Sequence, residues 1–139
     1  MISALPHAQS ISCQGTVTDN IKADAKPEPI SMGIIVDFAA RTVVGFGDPE
    51  ALGFPVKITG MNEVTLGFSG SYEVGMLRQY GSFAEINGSI DRVTGDVDAS
   101  YTTWEPVFSG EGAGRKVSGK TFYSQRAYSL KCRPAQRMF

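Results

Sequence analysis

Residues 11–18 read ISCQGTVT, an alternation in which every second residue is apolar or small. A period of two is typical of a β-strand with one buried face, and it places Cys13 on that face. Residues 128–132, near the other end of the chain, read YSLKC and place Cys132 on the apolar face by the same rule. We therefore predict that the first and last strands lie side by side, joined by a Cys13–Cys132 disulfide.

Such a disulfide would matter both for stability and for location. In the chain-entropy model, closing a loop of this length stabilises the fold by about 4–5 kcal/mol. Because disulfides persist in oxidising compartments, we expect a periplasmic or secreted protein. The alternative is a pair of buried free thiols, since unpaired cysteine also packs well in protein cores.

The first ten residues, MISALPHAQS, contain no Lys or Arg and no long apolar run. They are therefore not a complete signal peptide, although the small residues Ala8 and Ser10 match the two positions that a signal peptidase reads. We expect residues 1–10 to be a disordered leader remnant or an added tail, and residues 11–139 to form a single β-barrel domain. An ordinary cytosolic N-terminus is the alternative.

The composition is that of an ordinary globular domain, with 139 residues, 42% of them hydrophobic and 19% charged. A net charge of −1 without blocks of like charge gives no reason to expect nucleic acid or an anionic membrane as partner. No apolar run approaches the roughly 18 residues that a transmembrane helix needs. Oligomeric state is left open by these numbers.

Alternating segments recur along the chain and are separated by turn signals. They are residues 11–18, 30–37, 42–47, 54–59, 63–68, 71–77, 83–91, 96–103 and 121–132. Short, evenly spaced hairpins of this kind predict an all-β antiparallel meander of about eight strands. Closing the meander into a small barrel removes its free edges and makes the first and last strands neighbours, as the cysteines require. A β-sandwich is the alternative.

Two predicted turns share the same sequence pattern. Residues 37–41 and 91–95 each begin with an aspartate, whose carboxylate is expected to cap the backbone of the turn. Gly95 is expected to supply a positive φ angle. Residues 60–62 form a third hairpin link, and residues 19–28 allow at most one short helical turn before Pro27.

Two irregular loops are expected, at residues 47–53 and, as the longest one, at 104–120. Four aromatic residues flank the longer loop: Trp104, Phe108, Phe122 and Tyr123. Aromatic side chains at the mouth of a barrel either grip a small apolar ligand or plug the end of the barrel. We take these four as a candidate ligand mouth and leave plugging as the alternative.

No catalytic or metal-binding signature is found. The single histidine, His7, lies in the predicted tail, so a Ser-His-Asp or Cys-His apparatus has no base. The glycine-rich stretch 110–116 lacks the P-loop spacing. Asp91, Asp96 and Asp98 lack the EF-hand pattern and are expected to cap turns or to face solvent. We predict no catalytic residue, no metal and no cofactor, and hence a protein that is not an enzyme.

Three passages carry a resemblance to a known group of proteins. They are VD at 36–37 with TV at 42–43, GSIDRVTG at 88–95, and the ending from residue 128 to residue 139. Together they resemble small exported proteins of α-proteobacteria that have no assigned function. The likeness covers most of residues 11–139, but its motifs are hairpins and a cysteine. It implies a periplasmic setting and transfers no catalytic residue or ligand.

The leading hypothesis is a non-catalytic, exported β-barrel that binds a small apolar or amphipathic ligand in its interior or at its mouth. The alternative is a filled barrel that acts through its outer surface, as an envelope interaction protein or inhibitor. A cavity of roughly 300 Å³ or more would favour the first hypothesis.

Overall fold

The computed structural model describes residues 8–46, 55–76 and 81–135. This part of the chain is all-β, and its eight strands are antiparallel and follow one another in meander order around a closed hydrogen-bonded ring. The strands are β1 (Ala8–Asp19), β2 (Glu28–Asp37), β3 (Thr42–Val44), β4 (Val56–Met61), β5 (Thr65–Met76), β6 (Gly81–Asp91), β7 (Asp96–Ser109) and β8 (Lys116–Pro134). The predicted fold class is confirmed, although the ring is not evenly barrel-shaped.

The first and last strands close the ring, as the cysteine spacing predicts. β1 pairs with β8 from Ile11 to Asp19, and Cys13 lies directly opposite Cys132. Their Cα atoms are 4.1 Å apart and their sulfurs form a disulfide. A disulfide of this kind indicates an oxidising compartment.

The ring has a broad side and a narrow side. On the broad side, β7 and β8 pair over the whole length of β7, from Asp96 to Ser109. On the narrow side, β3 is three residues long and pairs with β4 only at Thr42 and Val43. β3 ends where the chain turns inward and buries Phe46 in the core. The ring is therefore continuous but uneven.

Alternate residues of the strands fill the interior, as the period of two requires. The largest fully buried side chains are Tyr101, Phe46, Phe68, Ile34, Leu66 and Ile86. Phe46 bridges the centre of the core, because its ring stacks on Phe68 at 5.5 Å between centroids and meets Tyr128 edge-on at 5.2 Å. Burial of these apolar surfaces is the main source of the fold's stability.

Two predicted strands prove to be one. The segments 63–68 and 71–77 belong to the single strand β5, which runs through residues 69 and 70 without a turn. Nine predicted segments therefore give eight strands. Val64, expected inside, is 51% exposed because it lies in the turn before β5 begins at Thr65. Residues 19–28 end β1 and continue as a turn, with no helix.

The prediction of a loop at residues 104–120 is wrong for most of this range. β7 continues to Ser109 and β8 begins at Lys116, so only residues 110–115 connect them, around a short 3₁₀ turn at Gly112–Gly114. Four glycines suggest a loop in this range. Gly110, Gly112 and Gly114 lie in the connection between the strands, and Gly119 lies within β8. The predicted loop at 47–53 lies outside the described residues.

The predicted boundary at residue 10 also moves. Ala8, Gln9 and Ser10 belong to β1, where they pair with Asp37, Val36 and Ile35 of β2. The alternation therefore starts before the first strongly apolar residue, because β2 is long enough to offer hydrogen-bond partners to these three residues. Residues 1–7 lie outside the described residues.

Candidate functional site

The turns 37–41 and 91–95 share the design predicted for them. Asp37 Oδ1 accepts a hydrogen bond from the backbone N–H of Ala40 at 2.9 Å. Asp91 Oδ1 accepts two, from backbone N–H groups of its own turn, both at 2.9 Å. Each carboxylate thus satisfies backbone donors that the strands leave unpaired.

The fifth residue of each turn has a left-handed backbone. Gly95 has φ 82°, as predicted, and Arg41 holds the equivalent place with φ 57°. The carbonyl of Gly95 accepts a hydrogen bond from Cys132 N–H at 2.8 Å, and that of Arg41 accepts one from Ile58 N–H at 2.9 Å. Each turn is therefore fastened to the strand that follows its own hairpin.

The tips of the β4–β5 and β6–β7 turns are bonded to each other. Asn62 Oδ1 accepts hydrogen bonds from the N–H groups of Val64 and Thr65. Arg92 donates its backbone N–H to Val64 O at 2.7 Å and its Nη1–H to Asn62 O at 2.5 Å. Its guanidinium also lies 5.7 Å from the centre of the Phe38 ring. Arg92 thereby ties three turns together at one end of the ring, which we name the turn end.

A cavity of about 230 Å³ lies at the turn end. Its apolar wall is formed by interior residues of four strands: Ile11, Val36, Leu66 and Ile90. Polar and charged residues stand around it: Gln9, Asp91, Arg92 and Arg133. The cavity therefore combines an apolar wall with a polar rim, the arrangement that small-molecule sites usually have.

The charges of the rim are partly committed to the fold. Hydrogen bonds from the backbone of Thr94 and Val93 lower the pKa of the Asp91 carboxyl below its ordinary value. The Thr94 hydroxyl and the Lys131 ammonium likewise lower the pKa of Asp96, whose carboxylate lies 3.1 Å from Lys131 Nζ. Both carboxylates therefore stay ionised at neutral pH. Asp91, the one of the two that lines the cavity, accepts hydrogen bonds from backbone N–H groups, so Arg92 and Arg133 are the rim groups suited to an incoming anion.

The cavity does not continue through the ring. Phe46, Phe68 and Tyr128 occupy the middle of the interior, and Tyr101 is buried beside β8. A ligand that enters at the turn end would therefore find the middle of the interior already filled by side chains. This limits its size to what the turn end can hold.

The four aromatic residues predicted as a ligand mouth lie away from this cavity. Trp104 faces Phe122 across β7 and β8, and Phe83 of β6 lies on its other side. Because the neighbouring Thr103 is buried in the interior, these three rings lie on the outer face of the sheet. Trp104 stacks on Phe83 at 4.7 Å, and Lys120 Nζ lies 4.2 Å from the Trp104 ring.

The other two predicted residues have different surroundings. Phe108 lies near the tip of the β7–β8 hairpin, with the Arg115 guanidinium 4.2 Å from its ring centre. Tyr123 donates a hydrogen bond from its hydroxyl to Glu105, which is buried. The structure thus brings Trp104 and Phe122 together and leaves Phe108 and Tyr123 apart from them. A ligand role for these residues stays a prediction.

The interior opposite the turn end is polar. Ser82, Thr103, Glu105 and Ser124 are its buried polar residues within the described ranges, and Thr103 Oγ1 lies 2.6 Å from Ser124 Oγ. Sequence reasoning missed Glu105 because residues 104–120 looked irregular, and it missed Thr103 and Ser124 because only apolar side chains were assigned to the interior. The signal was present, since the alternation Val97, Ala99, Tyr101 continues through positions 103 and 105 in the same strand.

Within residues 8–46, 55–76 and 81–135, no group of three or more His, Cys, Asp or Glu side chains is placed to hold a metal ion. Of the helical segments in the same parts, none has the length and apolar character required to cross a bilayer. His7 lies outside the described residues.

Comparisons with protein-family models, with curated proteins and with solved structures found no match to this chain. Function is therefore inferred from the geometry of the chain itself.

Proposed function

We propose that this protein is a non-catalytic, exported binding module that takes a small amphipathic ligand into the turn-end cavity. The observation that supports the proposal is the cavity itself, with its apolar wall of strand residues and its rim of Gln9, Arg92 and Arg133. The disulfide supports an oxidising setting, and a periplasmic or secreted location is part of the proposal.

The volume decides the size of the ligand. At about 230 Å³ the cavity does not reach the roughly 300 Å³ that would favour ligand binding by the criterion of the sequence analysis, the size at which pockets for drug-sized ligands begin, so the proposal requires a smaller ligand. It exceeds the ~150 Å³ apolar cavity that accepts one benzene ring. The ligand is therefore a single ring or a short alkyl chain rather than a long lipid.

The rim decides the polarity of the head group. The Asp91 carboxylate is engaged by backbone N–H groups. Arg92 donates one Nη1–H to Asn62 O, and neither Arg92 nor Arg133 forms an ion pair with a described residue. Arginine donors suit a carboxylate or phosphate group. A short-chain carboxylate, with its chain against Ile11, Val36 and Leu66, fits both halves of the site.

The test is a titration of the oxidised protein with hexanoate and octanoate, followed by NMR chemical shifts, with hexylamine as the cationic counterpart. We expect saturable shifts confined to the wall and rim residues for the carboxylates and weaker ones for the amine. The Ile11→Phe variant, at a half-buried wall position, should reduce binding by filling the cavity. The matched control, Val93→Phe on an exposed turn position that does not line the cavity, should bind as the parent does.

Equal shifts for the amine and the carboxylates would contradict the head-group assignment. Unchanged binding in Ile11→Phe, or shifts concentrated on Trp104 and Phe122, would contradict the turn-end site itself.

A further inference from the structure

The β7–β8 hairpin extends beyond the ring at the end opposite the cavity. After Trp104, β7 pairs with β8 alone among the described strands. We name residues 106–120 of this hairpin the arm. Apart from Pro106 and Phe108, which are half-buried, every residue of the arm is exposed. A ribbon of two strands is marginally stable in water by itself, so this arm lacks the support that the ring gives to the other strands.

The arm presents an open strand edge. β1 pairs with β8 up to Arg126, and Asn20 N–H donates to Gln125 O. From residue 116 to residue 124, β8 has no strand partner on that side in the described part of the chain. The pairing with β7 skips Ser118 and Tyr123, so the edge bulges at these two residues. Between and beside the bulges, the outward backbone N–H and C=O groups of β8 are a template for one more strand.

Exposed apolar side chains lie on both strands of the arm. Val117, which is 60% exposed, belongs to β8 and so to the open edge, whereas Val107, which is 41% exposed, belongs to β7. β-Branched residues of this kind favour extended pairing, and no hydrophobic interior lies beside them to bury them. The arm therefore offers both backbone hydrogen bonds and apolar contacts to a partner.

The charge of the arm identifies the partner's chemistry. It carries Arg115, Lys116 and Lys120 against Glu111, in a chain whose net charge is −1. Lys120 forms one loose pair with Glu85 at 3.8 Å, and Lys116 forms no ion pair with any described residue. An excess of positive charge on an otherwise slightly acidic protein attracts an acidic partner.

A second copy of this chain is a poor occupant of the same edge. Two arms paired edge to edge would bring Arg115, Lys116 and Lys120 of both copies together. Repulsion between these like charges destabilises such a pair. The lysines that would recruit an acidic strand thus also oppose self-association.

We propose that the arm binds an acidic polypeptide segment in extended conformation, which adds as a strand along residues 116–124 of β8. This inference is independent of the cavity and of its ligand. The bound segment would exchange backbone hydrogen bonds with β8, while its carboxylates lie near Lys116 and Lys120.

The test is an NMR titration of the oxidised protein with a synthetic peptide of alternating glutamate and threonine. A peptide of alternating lysine and threonine serves as the charge control. We expect the acidic peptide to shift amide signals of residues 116–124 and the basic peptide to leave them unchanged. The double variant Lys116→Glu/Lys120→Glu should bind the acidic peptide at least about tenfold more weakly, because its edge repels the ligand. Lys26→Glu/Lys57→Glu, which changes net charge equally at exposed sites off the arm, should bind as the parent does.

A third peptide separates strand addition from charge attraction alone. An acidic peptide N-methylated at every residue keeps its charge but has no backbone N–H group on either edge of the strand, and it should bind at least about tenfold more weakly. Equal affinity for this peptide would overturn the proposal. So would shifts spread away from residues 116–124, self-association through this edge in sedimentation experiments, or binding of the arm to anionic phosphatidylglycerol vesicles without binding of the acidic peptide.

Discussion

Two strand pairings complete the ring by different means. One joins β1 to β8 and is called here the β1–β8 seam; the other joins β3 to β2 and to β4 and is called the β3 seam. The β1–β8 seam pairs without interruption from Ile11 to Asp19 and carries the disulfide. In the β3 seam, all three residues of β3 pair with β2, but only Thr42 and Val43 pair with β4. The stronger seam thus joins the two ends of the described chain, and the weaker one joins strands that are neighbours in sequence.

Loop-closure entropy explains this difference. Bringing the ends of a long chain together costs more entropy than closing a hairpin, although the cost grows slowly with length. A covalent link between the end strands removes most of that cost from the unfolded state. β3 needs no such help, since short connections already hold it near β2. This fold therefore places its strongest closure where the chain entropy opposing it is largest.

The largest expected effect comes from breaking the strong seam. The double variant Cys13→Ala/Cys132→Ala should lower the free energy of unfolding by about 4–5 kcal/mol, because the unfolded chain regains its loop entropy. Urea denaturation of the variant and of the parent, each with and without reductant, measures the change. The reduced parent should approach the variant. Equal thiol titration of the parent with and without reductant would contradict the disulfide.

A second change tests how closely the strands of this seam approach. A Cβ atom at Gly15 would lie 2.0 Å from Ser129 O on β8, so Gly15→Ala must push the two strands apart. We expect a loss of about 1–3 kcal/mol in urea denaturation, typical of overpacking. Gly60→Ala is the control, since a Cβ atom added at Gly60 would meet nothing within 4 Å. Similar stabilities of the two variants would show that β1 and β8 are not packed as described.

Hydrogen exchange compares the two seams directly in the unchanged protein. Amides of β3, from Thr42 to Val44, should exchange at least about tenfold faster than those of β1 between Cys13 and Asp19, because a short seam opens without global unfolding. Equal protection in the two seams would contradict the comparison. Reduction of the disulfide should bring the β1 rates closer to those of β3.

The smallest expected effect concerns the turn beside the strong seam. The pKa of Asp91 is lowered in the folded state by the backbone hydrogen bonds of Thr94 and Val93. Its contribution to stability is therefore complete above the unfolded pKa of about 3.9 and is lost as the pH falls through the lower folded pKa. Asp91→Asn should keep the turn, as Asn62 does in its own turn, and should make stability less sensitive to acid. Unfolding curves between about pH 5 and pH 2 measure this effect. An unchanged pH dependence would argue against the cap.

Much of the fold could be predicted from local rules. The parity of Cys13 and Cys132 sufficed to place the two end strands beside each other, because side chains alternate strictly along a strand. The turn at 91–95 could be predicted because an aspartate and a glycine stand where a capped turn needs them. At 37–41 the same turn forms with Arg41 at the left-handed position, which composition alone would disfavour.

The rest depends on long-range pairing that no local pattern contains. Residues 104–109 and 116–120 are strand because each supplies hydrogen bonds to the other, although glycines between them suggested a loop. The candidate site was expected beside Trp104 and Phe122, since aromatic residues are conspicuous in a sequence. The cavity lies at the other end of the ring. It is formed by aliphatic residues of the strands and by turns that only the closed ring brings into contact.

The pairing of the first and last strands is tested most directly by nuclear Overhauser effects across their seam. Cys13 and Cys132 form a directly opposed pair with Cα atoms 4.1 Å apart, and Cys132 N–H donates to Gly95 O on the other side, away from β1. In such a non-hydrogen-bonded antiparallel pair the two Hα atoms face each other closely. The closed ring predicts a strong Hα–Hα effect between Cys13 and Cys132, and another between Gly15 and Leu130. Absence of both effects in the oxidised protein, with each strand instead paired elsewhere, would contradict the closed ring.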